Sequence, residues 1–286
     1  MPLAKYAFEA IGTWWSIETK RELTSNERAT VDTTIEQFDH TYSRFRPDSL
    51  VQQLTAGEPV LFPKSIGDIH GIYRTLYELS AGKINPHVGT SLAALGYDQT
   101  YSLRAGAPVP APDFSQLFLN KNIVTLKTPG IVDIGAVGKG YLIDQVAKIV
   151  GKNHSEYVID ASGDIALLTE QPESIGLEHP KDPTKIIGTV HLARGALCAS
   201  STNRRVWGKG LHHILDATTG QPTNTDIVAT WAIGPNATIC DALTTGLFFV
   251  SPATLMQTFG EFFYVIMKQD GSVIHNLPPE VGEIFN

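Results

Sequence analysis

Asp241 and Thr245 in C-D-A-L-T-T-G stand four residues apart, which on a helix places a carboxylate and a hydroxyl on the same face. Hard oxygen donors of this kind suit Mg2+, whose octahedron substrate phosphates and water complete. The competing reading makes Asp241 a helix cap and Thr245 a packing residue. A second stretch, Asn203 to Gly220, holds R-R-V-W and then H-H-I-L-D-A-T-T-G. Adjacent histidines on a strand point to opposite faces, so at most one of His212 and His213 enters a given site. His213 is the candidate base, since an imidazole titrates near neutrality, although a lone histidine is more often a satisfied polar residue. Neither Cys198 nor Cys240 lies within an ordinary ligand repeat, so zinc is not indicated.

The third stretch, Val132 to Val146, reads V-D-I-G-A-V-G-K-G-Y-L-I-D-Q-V. A short apolar run bearing Asp133 leads through Gly135, Gly138 and Gly140 into Leu142, Val146, Ile149 and Val150 at helical spacing. Glycines admit a ligand close to the backbone, the free N–H groups of a helix start suit a phosphate, and Lys139 can add a charge to it. The pattern equally fits an ordinary strand-to-helix connection, and it matches neither G-x-G-x-x-G nor G-x-x-x-x-G-K-[ST]. Upstream, Arg44 and Arg46 flank Phe45 in S-R-F-R-P-D-S. An aromatic between cations can hold a flavin or adenine ring and a phosphate, though such a segment is more often a solvated turn. The acids of D-A-S-G-D, Asp160 to Asp164, read as turn formers or solvated ends.

Periodicity predicts the elements that position these groups. Ile11 to Ile17 reads as a strand with Trp14 and Trp15 on opposite faces. T-S-N-E from Thr24 has capping-box spacing ahead of Val31, Ile35, Phe38 and Tyr42, which predicts an amphipathic helix. A second helix carries Ile66, Ile69, Ile72, Tyr73, Leu76 and Leu79, and Gly82 stops it. Ala105 to Asp113 is a surface loop. Strands are predicted at Ile123 to Leu126, Ile131 to Ile134, Tyr157 to Ile159, Ile165 to Leu168, Ile187 to Leu192, Ala229 to Gly234 and Phe263 to Met267, with a hairpin turn at Asp270-Gly271. That strand content exceeds a regular βαβ series and indicates an α+β architecture.

A chain of 286 residues with 42% hydrophobic and 18% charged residues has a globular balance and can bury a sizeable core. Its net charge of −7 argues against a nucleic-acid partner and against anionic membranes. No apolar run approaches membrane-spanning length, and M-P-L-A-K-Y-A-F-E-A lacks the apolar core and cleavage site of a signal peptide. A cytoplasmic location is therefore expected. Cys198 and Cys240 read as buried small hydrophobes.

Taken in order, I-G-T-W-W-S, Y-S-R-F-R-P-D-S, P-H-V-G, V-D-I-G-A-V-G-K-G-Y, S-G-D-I, I-G-L-E-H-P, H-H-I-L-D-A-T-T-G and D-A-L-T-T resemble the motifs of the FAD:protein FMN transferases, the ApbE flavin-transferase family, over nearly the whole chain. The resemblance implies a single α+β domain of the T-fold-like type, residues 1–286, that binds FAD and Mg2+, with Mn2+ the alternative cation. It implies transfer of FMN from FAD to a Ser or Thr hydroxyl of an acceptor protein bearing a D-G-x-[ST]-G-A-[ST] motif, with release of AMP. Carried over by position, Asp133 and Lys139 contact the flavin nucleotide, and His87, Val88 and Gly89 fall on an FAD-contact segment. Phe45 falls on a ring-stacking position and Leu215 near the isoalloxazine. The backbone carbonyl of Ala136 joins a metal shell with Asp241, Thr244 and Thr245. His213 falls on the histidine that activates the acceptor hydroxyl, with Asp216 either orienting it or shaping its loop. Asn85, His87, Ser201, Asn203 and Ala217 depart from the family's usual acid, Thr, Gly, aromatic and Pro. Two other activities stay open, an FAD pyrophosphatase yielding FMN and AMP, and a non-catalytic FAD-binding protein.

Overall fold

A nine-stranded antiparallel sheet organises the chain. Eight strands run in chain order: β1 (Ala4–Ala10), β2 (Thr13–Thr19), β3 (Tyr157–Ala161), β4 (Asp164–His179), β5 (Asp182–Ser201), β6 (Ile227–Gly234), β7 (Phe263–Lys268) and β8 (Val273–His275). The ninth, β9 (Gly282–Ile284), pairs with β5. The computed structural model describes residues 4–285; residues 1–3, the start of the stretch read for a signal peptide, and residue 286 lie outside it. Helices and strands are segregated as an α+β architecture requires.

Ile11 and Gly12 turn β1 into β2 with φ of 46° and 72°. Both are left-handed, as a tight two-residue hairpin demands, so the strand expected from Ile11 begins at Thr13. Within β2, Trp15, Ile17 and Thr19 are buried while Trp14 is 67% exposed, the alternation of a strand with one covered face.

Residues 20–156 leave the sheet between β2 and β3 and supply α1 (Ser25–Tyr42), α2 (Ile66–Leu79), α3 (Val88–Ala94) and α4 (Gly138–Val150); α5 (Ala237–Gly246) follows β6. The capping box of α1 is formed, with Thr24 as N-cap and its N–H donating to Glu27 at 2.7 Å. α4 packs on both α1 and α5. The expected strand at Ile131 to Ile134 is not formed. Ile131 N–H donates to Thr90 Oγ1 at 2.9 Å and Asp133 N–H to the Pro86 carbonyl at 2.7 Å. The donors a ladder needs are taken by the segment around α3. A second apolar cluster, including Leu177, Val190, Trp231 and Val265, fills in around β4 to β7. Cys198 and Cys240 are buried and free. No helix among the described residues is long and apolar enough to cross a membrane.

Candidate functional site

A cleft of about 1080 Å³ is lined by the β1–β2 turn, the end of α1, the glycine stretch before α4, the segment after β5, and α5. Its size stands at the upper limit of the roughly 300–1,000 Å³ usual for small-molecule sites.

At its base α4 crosses α5. Gly140 is the third residue of α4, in the first turn, where a backbone N–H has no partner within the helix. Its N–H donates to Asp241 Oδ2 of α5 at 2.8 Å, and no described group donates to the Ala136 carbonyl. Asp241 therefore caps its neighbour helix and not its own, whose N-cap is Asn236. Asp241, Thr245 and Ala136 all line the cleft. Burial first, and then the charge of Asp164, push the Asp241 carboxyl well above the usual carboxylate range.

Gly140 itself allows the crossing, because a Cβ there would lie 2.1 Å from the Ala237 carbonyl oxygen. The glycine stretch thus serves helix–helix approach at this position, where close approach of a ligand is the sequence expectation.

Lys139 lines the cleft and reaches Asp164 Oδ2 at 2.9 Å. Burial works against its ammonium, but Asp164 and then Asp241 outweigh it, and the net shift is upward. Asp164 is 1% exposed and accepts from the Ala199 N–H at 2.9 Å, so it is no solvated strand end. Asp160 is a turn former, accepting from the Gly163 N–H at 2.8 Å.

Both carboxylate oxygens of Asp133 are engaged, Oδ2 by Arg44 Nε at 2.6 Å and Oδ1 by the Gly135 N–H at 2.6 Å. Arg44 is buried, donates to the Tyr97 carbonyl at 2.7 Å and lies 4.1 Å from the Phe45 ring centroid. The solvated-turn reading holds for Arg46, paired with Asp48 and Glu36, and fails for Arg44. Phe45 lines the cleft with the Tyr101 ring stacked on it, centroids 4.8 Å apart and planes within 5°. An incoming ring must displace Tyr101 or stack on its outer face.

Three expected site residues do not reach the cleft. His87 is fully buried with neither ring nitrogen bonded, and burial holds its pKa down at about 4. Gly89 is pressed against the chain, since a Cβ there would lie 2.6 Å from the Ile131 carbonyl. Of that segment only Val88 lines the cleft. Thr244 is 0% exposed; its hydroxyl donates to the Asp241 carbonyl at 2.7 Å and meets Ser200 Oγ at 2.9 Å. One position along α5 separates it from Thr245, and that rotation turns it toward the sheet.

His213 lines the cleft just past the strand pair of Leu211–His212. Its Nδ1 is buried without a partner, which leaves Nε2 as the ring nitrogen that meets the cleft. Burial first, then Arg205, hold its pKa down at about 3. The imidazole is therefore neutral at pH 7 but a weaker base than the ordinary range implies. Asp216 does not orient it; its Oδ1 accepts from the Thr218 N–H at 2.9 Å and hydroxyl at 2.6 Å, shaping the loop. Leu215 packs with Leu92, Tyr97 and Trp207 to form one wall. Two of the departing residues are joined there, Ser201 Oγ donating to Asn203 Oδ1 at 2.7 Å.

Tyr73 is a participant that periodicity assigns only to the core. Its hydroxyl donates to the Asp133 carbonyl at 3.3 Å and accepts from the Ala136 N–H at 3.2 Å, fixing the glycine turn. A tyrosine on a buried aliphatic stripe needs such a partner, which was the available signal. Among the described residues no three or more His, Cys, Asp or Glu side chains gather to hold a metal. A cation here would rest on carbonyl and hydroxyl oxygens as well as Asp241.

Residues 11–262 match the model of the ApbE family. The chain belongs to the ApbE family. Among its relatives in that family, the FAD:protein FMN transferase of Klebsiella pneumoniae (strain 342) is 28% identical over 166 residues, 53% of this chain, and the match spans about half, 46%, of that protein. The FAD:protein FMN transferase of Escherichia coli (strain K12) is 22% identical across 92% of this chain and 84% of its own length. The crystal structure of the ApbE protein from Thermotoga maritima superposes with a TM-score of 0.83 at 20% identity, covering 96% of this chain and 97% of that one. The ApbE fold is thus shared across nearly the full length.

Proposed function

We propose that residues 1–286 form one catalytic domain, an FAD:protein FMN transferase that moves FMN from FAD to a Ser or Thr hydroxyl of an acceptor protein and releases AMP. The observation that carries this reading is the bond from the Gly140 N–H to Asp241, which anchors a buried carboxylate at the start of α4 in a cleft that Ala136 and Thr245 also line. The carboxylate, the Ala136 carbonyl and the Thr245 hydroxyl are hard oxygen donors around excess buried negative charge, a set that fits Mg2+ or Mn2+. Bound there, the cation would neutralise charge on the pyrophosphate of FAD. The names of the ApbE relatives and the size of the cleft support a dinucleotide substrate.

The chain's own residues position and deprotonate. Arg44 and Tyr73 hold the turn at Asp133 to Ala136, and Leu215, Leu92 and Trp207 exclude water from one wall. The acceptor hydroxyl oxygen bonds to the FMN-side phosphorus, and the bond from that phosphorus to the bridging oxygen breaks, leaving AMP. Neutral His213 takes the hydroxyl proton at Nε2. Pyrophosphate beside it offsets the Arg205 charge and so moves the imidazole pKa upward, toward what a base needs. The acceptor presents its hydroxyl within a D-G-x-[ST]-G-A-[ST] segment.

His213→Ala is expected to keep FAD affinity within about twofold while transfer to the acceptor falls roughly 10²–10⁴-fold. Binding titration and initial transfer rates separate the two. Transfer at the wild-type rate removes His213 from the mechanism.

A further inference from the structure

Most cations on the cleft wall are already held by carboxylates. Arg44 pairs with Asp133 at 2.6 Å, Arg46 with Asp48 at 2.6 Å, Lys139 with Asp164 at 2.9 Å and Arg204 with Glu178 at 3.1 Å. Arg205 has no carboxylate within ion-pair distance among the described residues, although it lines the same cleft. Lys83 is likewise unpaired, but it is Arg205 whose charge acts on Asp133, Tyr97, His213 and Asp241. Those groups come from four separate segments, and all four line the same cleft as Arg205. Asp133 is satisfied by Arg44 and Gly135, and no carboxylate pairs with Arg205 itself among the described residues.

We propose that Arg205 is a phosphate-binding residue of this cleft, gripping the pyrophosphate of FAD and neutralising the charge that collects on the AMP phosphate as it leaves. The assignment rests on the transferase reading for the identity of the dinucleotide. A planar guanidinium presents paired donors that match two phosphate oxygens, which an ammonium cannot reproduce. Asp241, Thr245 and Ala136, which would hold the cation, and Arg205 line the same cleft, so both would serve one pyrophosphate. Arg204, the adjacent arginine, is paired with Glu178 and is the internal control.

The test is equilibrium titration of the full chain in Mg2+ with inorganic pyrophosphate, FAD and riboflavin, using the wild type, Arg205→Met, Arg205→Lys and Arg204→Met. Arg205→Met is expected to weaken pyrophosphate and FAD by roughly 10–100-fold, the loss of a charged hydrogen-bond pair, and to leave riboflavin within about twofold. Arg205→Lys recovers part of the FAD affinity but less of kcat for transfer, and Arg204→Met changes none of these by more than about twofold. Unchanged FAD and pyrophosphate affinity in Arg205→Met overturns the proposal, as does a parallel loss of riboflavin. If the wild type takes pyrophosphate through Arg205 but does not take FAD, the transferase reading fails while the phosphate assignment stands.

Discussion

Asp241→Asn is expected to abolish the response to Mg2+ and, in the absence of metal, to raise thermal stability. The asparagine oxygen can still accept from the Gly140 N–H, which Asp241 now does at 2.8 Å, so the contact between α4 and α5 persists. What disappears is a buried charge in a group of Asp241, Asp164 and Lys139 that carries two carboxylates against one ammonium. Burial first, and then Asp164, raise the Asp241 pKa from the ordinary 3.8. The folded state thus holds a proton that the unfolded state releases, and the metal-free wild type loses stability as pH rises from about 3.8 through the raised pKa. The substitution flattens that slope. Each pKa unit corresponds to about 1.4 kcal/mol, and roughly 2–4 °C of Tm accompanies each kcal/mol in a chain of this size, so a gain of several degrees is expected at pH 7. Added Mg2+ should raise the wild-type Tm and leave the variant unmoved. An equal rise in both would remove Asp241 from the metal site.

Gly140→Ala carries a large expected cost to the fold. Its Cβ would stand 2.1 Å from the Ala237 carbonyl oxygen and 2.7 Å from Asp241 Cβ. The first of these is backbone and cannot rotate away, so α4 and α5 must separate and the Gly140 to Asp241 bond must lengthen. Overpacking costs about 1–3 kcal/mol where neighbours can adjust; here at least about 3 kcal/mol is expected, read as the fall in urea midpoint. Gly135→Ala is the contrast, because its Cβ would meet only the Asp133 carboxylate, at 2.8 Å for Oδ1, with no backbone in the way, although that carboxylate is held by Arg44 and the Gly135 N–H. A cost of about 1–2 kcal/mol, smaller than at Gly140, is expected there. Equal losses in the two variants would contradict the division of roles within the glycine stretch.

That division was not legible in the sequence, for a physical reason. The three glycines look alike in a local window, and only the arrival of α5 from far along the chain makes Gly140 a contact point. Signals that close within a few residues read correctly, as with the capping box at Thr24 and Glu27 and the opposed Trp14 and Trp15. Signals that depend on a distant partner did not. Arg44 looked solvated because nothing nearby reveals Asp133, and Asp164 looked like a strand end because Lys139 lies on another element. Thr244 and Thr245 cannot be told apart until the sheet that covers one face of α5 is known. Ile131 to Ile134 has strand composition, yet its N–H groups answer to Thr90 and Pro86. His213 was identified by its place among the motifs, whereas its lowered pKa comes from burial and from Arg205, neither of which its neighbours in sequence disclose.

The most direct test of the central claim is to incubate the chain with FAD, Mg2+ and a protein bearing a D-G-x-[ST]-G-A-[ST] segment, then resolve the mixture on a denaturing gel. The transferase reading predicts flavin fluorescence on the acceptor band, AMP released in equal amount, and loss of both when the metal is chelated. FAD cleaved to FMN and AMP with the acceptor left unlabelled, or labelling that persists without metal, would contradict it.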